Sequence, residues 1–438
     1  VFFSNAYAAS PVCSPTRASV LTGKYPSRID VSDHSGSPGP SGPDRKLVPP
    51  PVVGHVPLED TTLAEALNEA GYTTAHIGKW HLQAHHELGR AHYPEANGFD
   101  INITGGRAGA PASYYFPYND DKNQRIKVEG LEDGKDGDYL TDVLTDKAIA
   151  FIEANRDKPF FLNMWYYTVH TPIDPRKDKL DKYRKKATSM ELKPRDGVPV
   201  YQSLSHAQQD NHAYACMVES MDENVGRILD TLKRLELEED TIVIFFSDNG
   251  GLSTGAHPNM PTSCFPLRAG KAWLYEGGIR VPLIIRLPGK VKAGLTVDEP
   301  VISTDLYPTI LDLIGLPLRP EQHVDGVSLK ALASGDTESL DREAIYFHYP
   351  HYHPINTMGP AGAVRMGDYK LVEVYETGNI ELYNLNDDVG EQKDLSAEMP
   401  ERAARMKTML HDWIAESGSH MPVSNPDYMA ENDWRRKK

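Results

Sequence analysis

Cys13 heads the run Cys13-Ser14-Pro15-Thr16-Arg17-Ala18-Ser19-Val20-Leu21-Thr22-Gly23. Ser14 suits an N-cap and Pro15 suits a first helical turn, where no backbone N–H is needed, so the run predicts a helix opening beside the thiol. Arg17, four residues on, then lies on the same side as Cys13. The free N–H groups of that first turn favour an anion there. The competing reading is a buried structural cysteine.

Four further segments carry chemistry. In Gly78-Lys79-Trp80-His81 an extended backbone would turn Lys79 and His81 to one face; a surface lysine beside a packed histidine is the alternative. His170, in Thr168-Val169-His170-Thr171-Pro172, is either a turn histidine or a group able to protonate a leaving oxygen. Ser247-Asp248-Asn249-Gly250-Gly251 is ordinary turn chemistry, yet Asp248 and Asn249 also offer hard oxygen ligands suited to Ca²⁺ or Mg²⁺ rather than zinc. Lys271 opens a long motif, Gly270-Lys271-Ala272-Trp273-Leu274-Tyr275-Glu276-Gly277-Gly278-Ile279-Arg280-Val281-Pro282; alone it reads as a flexible surface lysine.

These segments follow predicted strands, where open α/β sheets place their active sites. Apolar runs at Tyr72–Ile77, Phe160–Val169, Thr241–Phe246 and Val281–Leu287 read as strands. Leu63–Ala70, Leu140–Glu153, Tyr214–Leu235 and Leu306–Ile314 read as helices. The alternation predicts an α/β fold: a large mixed, mostly parallel sheet flanked by helices. Ser32–Gly54, Ile103–Asp138 and Pro172–Ser203 read as long irregular insertions, of the kind that shape a substrate mouth. After Asp341 the texture changes to short strands at Ala344–Tyr349, Tyr369–Val374 and Ile380–Tyr383 and a helix at Pro400–Glu416. The expected division is therefore a catalytic domain over 1–340 and a small α+β subdomain over 341–438, with no internal repeat. His348, His351 and His353 lack an acidic or cysteine partner at metal-ligand spacing, which leaves substrate lining or packing.

Composition narrows the partners. The 438 residues carry a net charge of −16, which argues against nucleic acid but leaves room for a small anion held by local cations. No apolar stretch spans a bilayer. The three cysteines Cys13, Cys216 and Cys264 make no disulfide framework.

Taken together, the Cys13 run, the Gly78–His81 tetrad, the Asp248-Asn249-Gly250 turn and the Gly270–Pro282 stretch resemble, in order, the signatures of the type I sulfatases of the alkaline-phosphatase superfamily. The resemblance continues more weakly through Tyr369-Lys370-Leu371 and Glu381–Leu385. It implies that Cys13 is converted to formylglycine by a formylglycine-generating enzyme, and that Cys13, Asp248 and Asn249 are ligands of Ca²⁺ (Mg²⁺ as the alternative). It further implies that Arg17, Lys79, His81, His170 and Lys271 complete the catalytic set, and that the protein is periplasmic, secreted or lysosomal. His170 with Lys271 would protonate the leaving oxygen and His81 would accept the proton that releases sulfate; the two histidine roles stay exchangeable.

The family also supplies two metal-binding aspartates from a segment before the cysteine. Only twelve residues precede Cys13, none acidic. A chain opening at Val1 in the strand-like Val1-Phe2-Phe3 is accordingly expected to be a fragment, binding Ca²⁺ poorly as it stands. The substrate implied is a sulfate ester, on a sulfated carbohydrate or an aryl group. Two rivals are a phosphate or phosphonate monoester hydrolase of the same superfamily and a non-catalytic binder of sulfated glycans. Tyr114, Tyr115, Tyr201 and the His348–His353 region are candidates for contacting a sugar.

Overall fold

The computed structural model describes residues 1–35, 42–83, 88–119, 127–192, 195–256 and 260–436; parts of all three long insertions lie outside these residues. Thr73–Gly78 forms the middle of a parallel ladder, flanked by Ile101–Ile103 and Phe160–Trp165. Register is set by pairs such as Thr73 with Phe160 and Ala75 with both Leu162 and Ile101. A second ladder has the order Thr296–Val297, Phe2–Phe3, Leu283–Arg286, Val243–Phe246. Its first pairing is parallel and the other two antiparallel, so the sheet system is mixed.

Helices cover these ladders because their apolar stripes have no other place to go. Leu140–Ala154 and His212–Arg234 bury Leu140, Leu144, Ala148, Phe151, Met217 and Leu232 in one cluster with Ala75 and Ile77 of the central strand. The helix Cys13–Thr22 buries Ala18 and Leu21 with Trp80, Leu82 and Phe99. Helix starts are chemically defined. Thr62 and Glu65 form a reciprocal capping box before Leu63–Glu69, and Asn211 caps the N–H groups of Ala213 and Tyr214. Among the described residues no helix is long and apolar enough to cross a membrane.

Toward the C-terminus, Ile345–Tyr349, Ala361–Met366, Tyr369–Val374 and Asn379–Asn384 form an antiparallel sheet in chain order. The helix Pro400–Glu416 packs Met406, Leu410, Trp413 and Ile414 against it. That core is continuous with Tyr7, Trp273, Tyr275 and Ile279 from the earlier part of the chain.

Three elements differ from the sequence expectation. The strand from Phe160 ends at Trp165 instead of Val169. The insertion expected to be irregular contains the helix Leu180–Ser189, which fully buries none of its residues and half-buries only Leu180, Tyr183 and Ala187, a stripe too thin to read. The strand Ala361–Met366 was not expected, because Ala-Gly-Ala has little β propensity and is held by its neighbours on both edges.

Candidate active site

The helix at the head of the site begins at Cys13 itself, with Val12 in the N-cap position and no side-chain cap. Ser14 is therefore inside the first turn and not the cap. Its hydroxyl donates to the His81 carbonyl at 2.7 Å and accepts from the Ser35 N–H at 3.0 Å, tying three segments together. Cys13 is 4% exposed, and its Sγ lies 3.2 Å from His81 Nδ1. Arg17 does sit one turn below, but its guanidinium is committed. It donates to Asp248 Oδ2 from Nε at 2.9 Å and from Nη2 at 2.6 Å, donates to the Lys79 carbonyl at 2.8 Å, and stacks 4.7 Å over Trp165.

His81 contacts Cys13 and the charge of Lys79 acts on it, though not through an extended backbone. Gly78 has φ +109°, and a Cβ there would fall 2.0 Å from the Trp165 carbonyl oxygen, so only glycine fits. His81 itself has φ +57°. Burial lowers the pKa of both groups. Burial alone would raise the Cys13 thiol, but Lys79, His81 and Lys271 outweigh it and hold the thiol well below its ordinary range. The position is thus built to stabilise negative charge.

His170 caps the opposite side. Its Nδ1 donates to the Thr171 carbonyl at 2.9 Å, which leaves Nε2 to accept from the Lys271 ammonium at 3.0 Å. Burial, then Lys271 and Lys79, push His170 down to about 3, so its ring is neutral at neutral pH. Tyr114 is fully buried and donates to the His170 and Tyr167 carbonyls at 2.9 and 2.8 Å. It supports the histidine and does not face a sugar. Tyr115 donates to the Pro175 carbonyl, and Tyr201, 43% exposed, to Glu381.

Asp248 and Asn249 follow the strand Val243–Phe246. The carboxyl of Asp248 is held far below the usual range: burial opposes this, but Arg17, Lys79 and Lys271 prevail. Asn249 donates from Nδ2 to the Gly250 carbonyl at 2.8 Å, while its Oδ1 is buried without a hydrogen-bond partner. A buried amide oxygen in that state beside an ionised carboxylate fits a hard cation. These donors form part of a set only: among the described residues no group of three or more His, Cys, Asp or Glu side chains is arranged to hold a metal ion.

The two glycine-rich motifs dovetail. Gly250 N–H donates to the Gly278 carbonyl at 2.9 Å and Lys271 N–H to the Gly251 carbonyl at 2.9 Å. A Cβ on Gly250 would fall 1.8 Å from the Gly277 carbonyl oxygen. Both motifs therefore need glycine because backbone packs on backbone.

Two groups lay outside the sequence reading. Glu276, quoted above only as part of a motif, is fully buried beside Lys370, whose ammonium lies 2.9 Å from Glu276 Oε1 and 2.9 Å from Glu391 Oε1. His34, held by Asp33 in a stretch read only as loop, comes within ring contact of His81. Both sets join segments far apart in the chain, which leaves no local pattern to find. Of the remaining histidines, His348 lies between the Tyr375 hydroxyl and the His420 carbonyl, His351 contacts Ser32, and His353 faces His34.

The sulfatase family profile matches residues 1–316. The chain belongs to the sulfatase family. A second profile, that of the C-terminal part of N-sulphoglucosamine sulphohydrolase, matches residues 269–417 of this sulfatase. A sulfatase of Formosa agariphila is 30% identical over 467 aligned positions, covering 93% of this chain and 80% of its own length. N-acetylgalactosamine-6-sulfatase of Mus musculus is 30% identical, with 84% and 64% covered. The crystal structure of Ps i-CgsB in complex with k-i-k-neocarrahexaose superposes with a TM-score of 0.71 at 28% identity, over 98% of this chain and 86% of that one. The protein is a type I sulfatase of the alkaline-phosphatase superfamily, a sulfuric ester hydrolase with the expected α/β architecture.

Proposed function

We propose that this sulfatase hydrolyses a sulfate ester of a sulfated carbohydrate through the hydrate of a formylglycine made from Cys13, with Ca²⁺ (or Mg²⁺) assistance. The observation that carries this reading is the charge arrangement around residue 13: Lys79, Lys271 and His81 all favour negative charge at the sulfur, which marks where the hydrate oxygens would lie. The carbohydrate is favoured by similarity to proteins named for N-acetylgalactosamine-6-sulfate and to one crystallised with neocarrahexaose. We further propose the division at residue 340 and a periplasmic, secreted or lysosomal setting.

One hydroxyl of the hydrate attacks sulfur, the S–O bond to the alcohol breaks, and the alcohol oxygen takes up a proton. The remaining hydroxyl then loses its proton, the bond from carbon to the sulfate oxygen breaks, and the aldehyde reforms with release of sulfate. His81, against residue 13, is positioned to take protons from the hydrate. Lys271 holds the proton for the leaving alcohol, and His170, accepting from Lys271 through Nε2, orients it. Arg17 fixes Asp248 and the Lys79 backbone, so it acts as a strut for the cationic cradle. Asp248, Asn249 and residue 13 would hold the metal ion, which supplies charge neutralisation and a lower hydroxyl pKa.

The overall test is sulfate release from sulfated mono- and oligosaccharides, with aryl sulfate and aryl phosphate as controls. Turnover confined to the phosphate would overturn the reading. His170→Ala should cost roughly 10²–10⁴-fold on alkyl and sugar sulfates but much less on an activated aryl sulfate, whose leaving group needs no proton; equal losses on both would remove the acid role. Dialysis against a chelator should abolish turnover and Ca²⁺ should restore it. Asn249→Ala should raise the Ca²⁺ concentration giving half-maximal thermal stabilisation, and an unchanged midpoint would remove Asn249 from the ligand set.

A further inference from the structure

Three imidazoles run outward from the nucleophile. His81 contacts Cys13 Sγ at 3.2 Å, the His34 ring centre lies 6.4 Å from that of His81, and the His353 ring meets His34 edge to face at 5.7 Å. The chemistry above uses neither His34 nor His353, yet both are held firmly. Asp33 is 1% exposed, and its Oδ1 lies 3.1 Å from His34 Nδ1 while also accepting from the His34 backbone N–H at 2.8 Å and the Tyr349 hydroxyl at 2.9 Å. The side chain of His34 remains 32% exposed. The His353 loop is fastened by Asn356, which donates to the Ala272 carbonyl at 2.7 Å, one residue from Lys271.

The protonation pattern follows from these partners. Against a carboxylate, His34 Nδ1 must donate; burial opposes the charged ring, but Asp33 lifts its pKa above the ordinary value. His353 Nδ1 accepts from the Ile355 N–H at 3.4 Å, which puts its proton on Nε2, and burial keeps the ring neutral, with its pKa down to about 4. Neither Nε2 has a hydrogen-bond partner among the described residues. With its ring protonated, the form the Asp33 carboxylate favours, His34 offers an Nε2–H donor beside that of His353. A sugar hydroxyl needs to donate as well as accept, whereas a sulfate or carboxylate only accepts.

We propose that His34 and His353 recognise a second anionic group, sulfate or carboxylate, on the glycan whose ester is cleaved, and so set the specificity of the site for polyanionic sugars. This rests on the sulfated-carbohydrate reading above and deepens it.

The experiment compares kcat/KM for matched sulfated disaccharides differing only in a second sulfate, or only in a uronate carboxyl against its reduced alcohol. Aryl sulfate serves as the monoanionic reference. The wild-type enzyme should prefer the doubly charged member of at least one pair by about tenfold or more. The sulfate and carboxyl series tell which anion is read. In His34→Gln and His353→Gln, each checked for an unchanged melting profile, that preference ratio should fall toward one, whatever common loss both substrates share. Turnover of aryl sulfate and sugars with no charge preference in the wild type, or a preference that survives both substitutions, would overturn the proposal while leaving the sulfatase reading intact. Failure to hydrolyse any sulfate, aryl sulfate included, would overturn both.

Discussion

Cys13→Ala is expected to reduce sulfate release by at least about 10⁴-fold, the scale on which removal of a covalent nucleophile acts, while the protein still folds. The fold should survive because among the described residues the sulfur makes one polar contact, with His81 Nδ1, while the helix behind it is held by Ala18 and Leu21 in the core. Free sulfate measured alongside a thermal melt separates the two effects. A mass spectrum of the peptide carrying residue 13 in the wild-type enzyme gives the second arm, since an aldehyde and a thiol differ in mass. Retained turnover in the alanine variant would remove Cys13 as the nucleophile. A wild-type enzyme that works with an unmodified thiol would keep the residue and change the chemistry.

The other large effect is expected far from residue 13. Lys370 is fully buried between Glu276 and Glu391, and Glu276 also accepts from the Tyr7 hydroxyl at 2.7 Å. The Glu391 carboxylate accepts from the Glu276 backbone N–H at 2.7 Å. Lys370→Met would leave two carboxylates in the interior without their shared cation. Breaking a buried ion pair in this way costs about 3–5 kcal/mol, read as a fall in the urea midpoint. Adding Glu391→Gln should recover part of that loss, and a double variant no better than the single one would show that the charges do not interact.

The cluster also has a pH signature. Burial pushes Glu391 up to about 7, with the Glu276 charge adding to it and Lys370 opposing. Between its ordinary value of 4.5 and about 7 the folded chain thus holds a proton that the unfolded chain has released. The contribution of Glu391 to stability therefore declines as pH rises through that window, and Glu391→Gln should flatten the slope.

Much of the candidate site was legible because its residues sit in short runs at strand ends, where type and spacing suggest the chemistry. Cys13, Lys79, His81, His170, Asp248 and Lys271 converge although they span more than half the chain. What stayed illegible lacked a local signal. The Glu276–Lys370–Glu391 cluster joins positions that become neighbours only when the last sheet docks on the core. Asp33 and His34 lie in a stretch whose glycine and proline content says loop and nothing more. Ser14 was misread as a cap because an N-cap and a first-turn serine look alike until the Ser35 N–H and the His81 carbonyl are seen on its hydroxyl. The polar helix Leu180–Ser189 escaped for a different reason: its half-buried stripe is only Leu180, Tyr183 and Ala187 in a run otherwise charged or polar.

The 4% exposure of Cys13 has a temporal consequence. If residue 13 is converted as proposed, a modifying enzyme could not draw a side chain so enclosed into its own cleft, and conversion would have to precede closure of the chain over it. One side of that enclosure comes from the far end, because the segment bearing Lys271 is anchored through Glu276 to Lys370 and Glu391. On a ribosome working from the N-terminus, residue 13 emerges hundreds of residues before that anchor exists. On the proposed reading the late-made C-terminal sheet would complete that enclosure only after most of the chain has been synthesised.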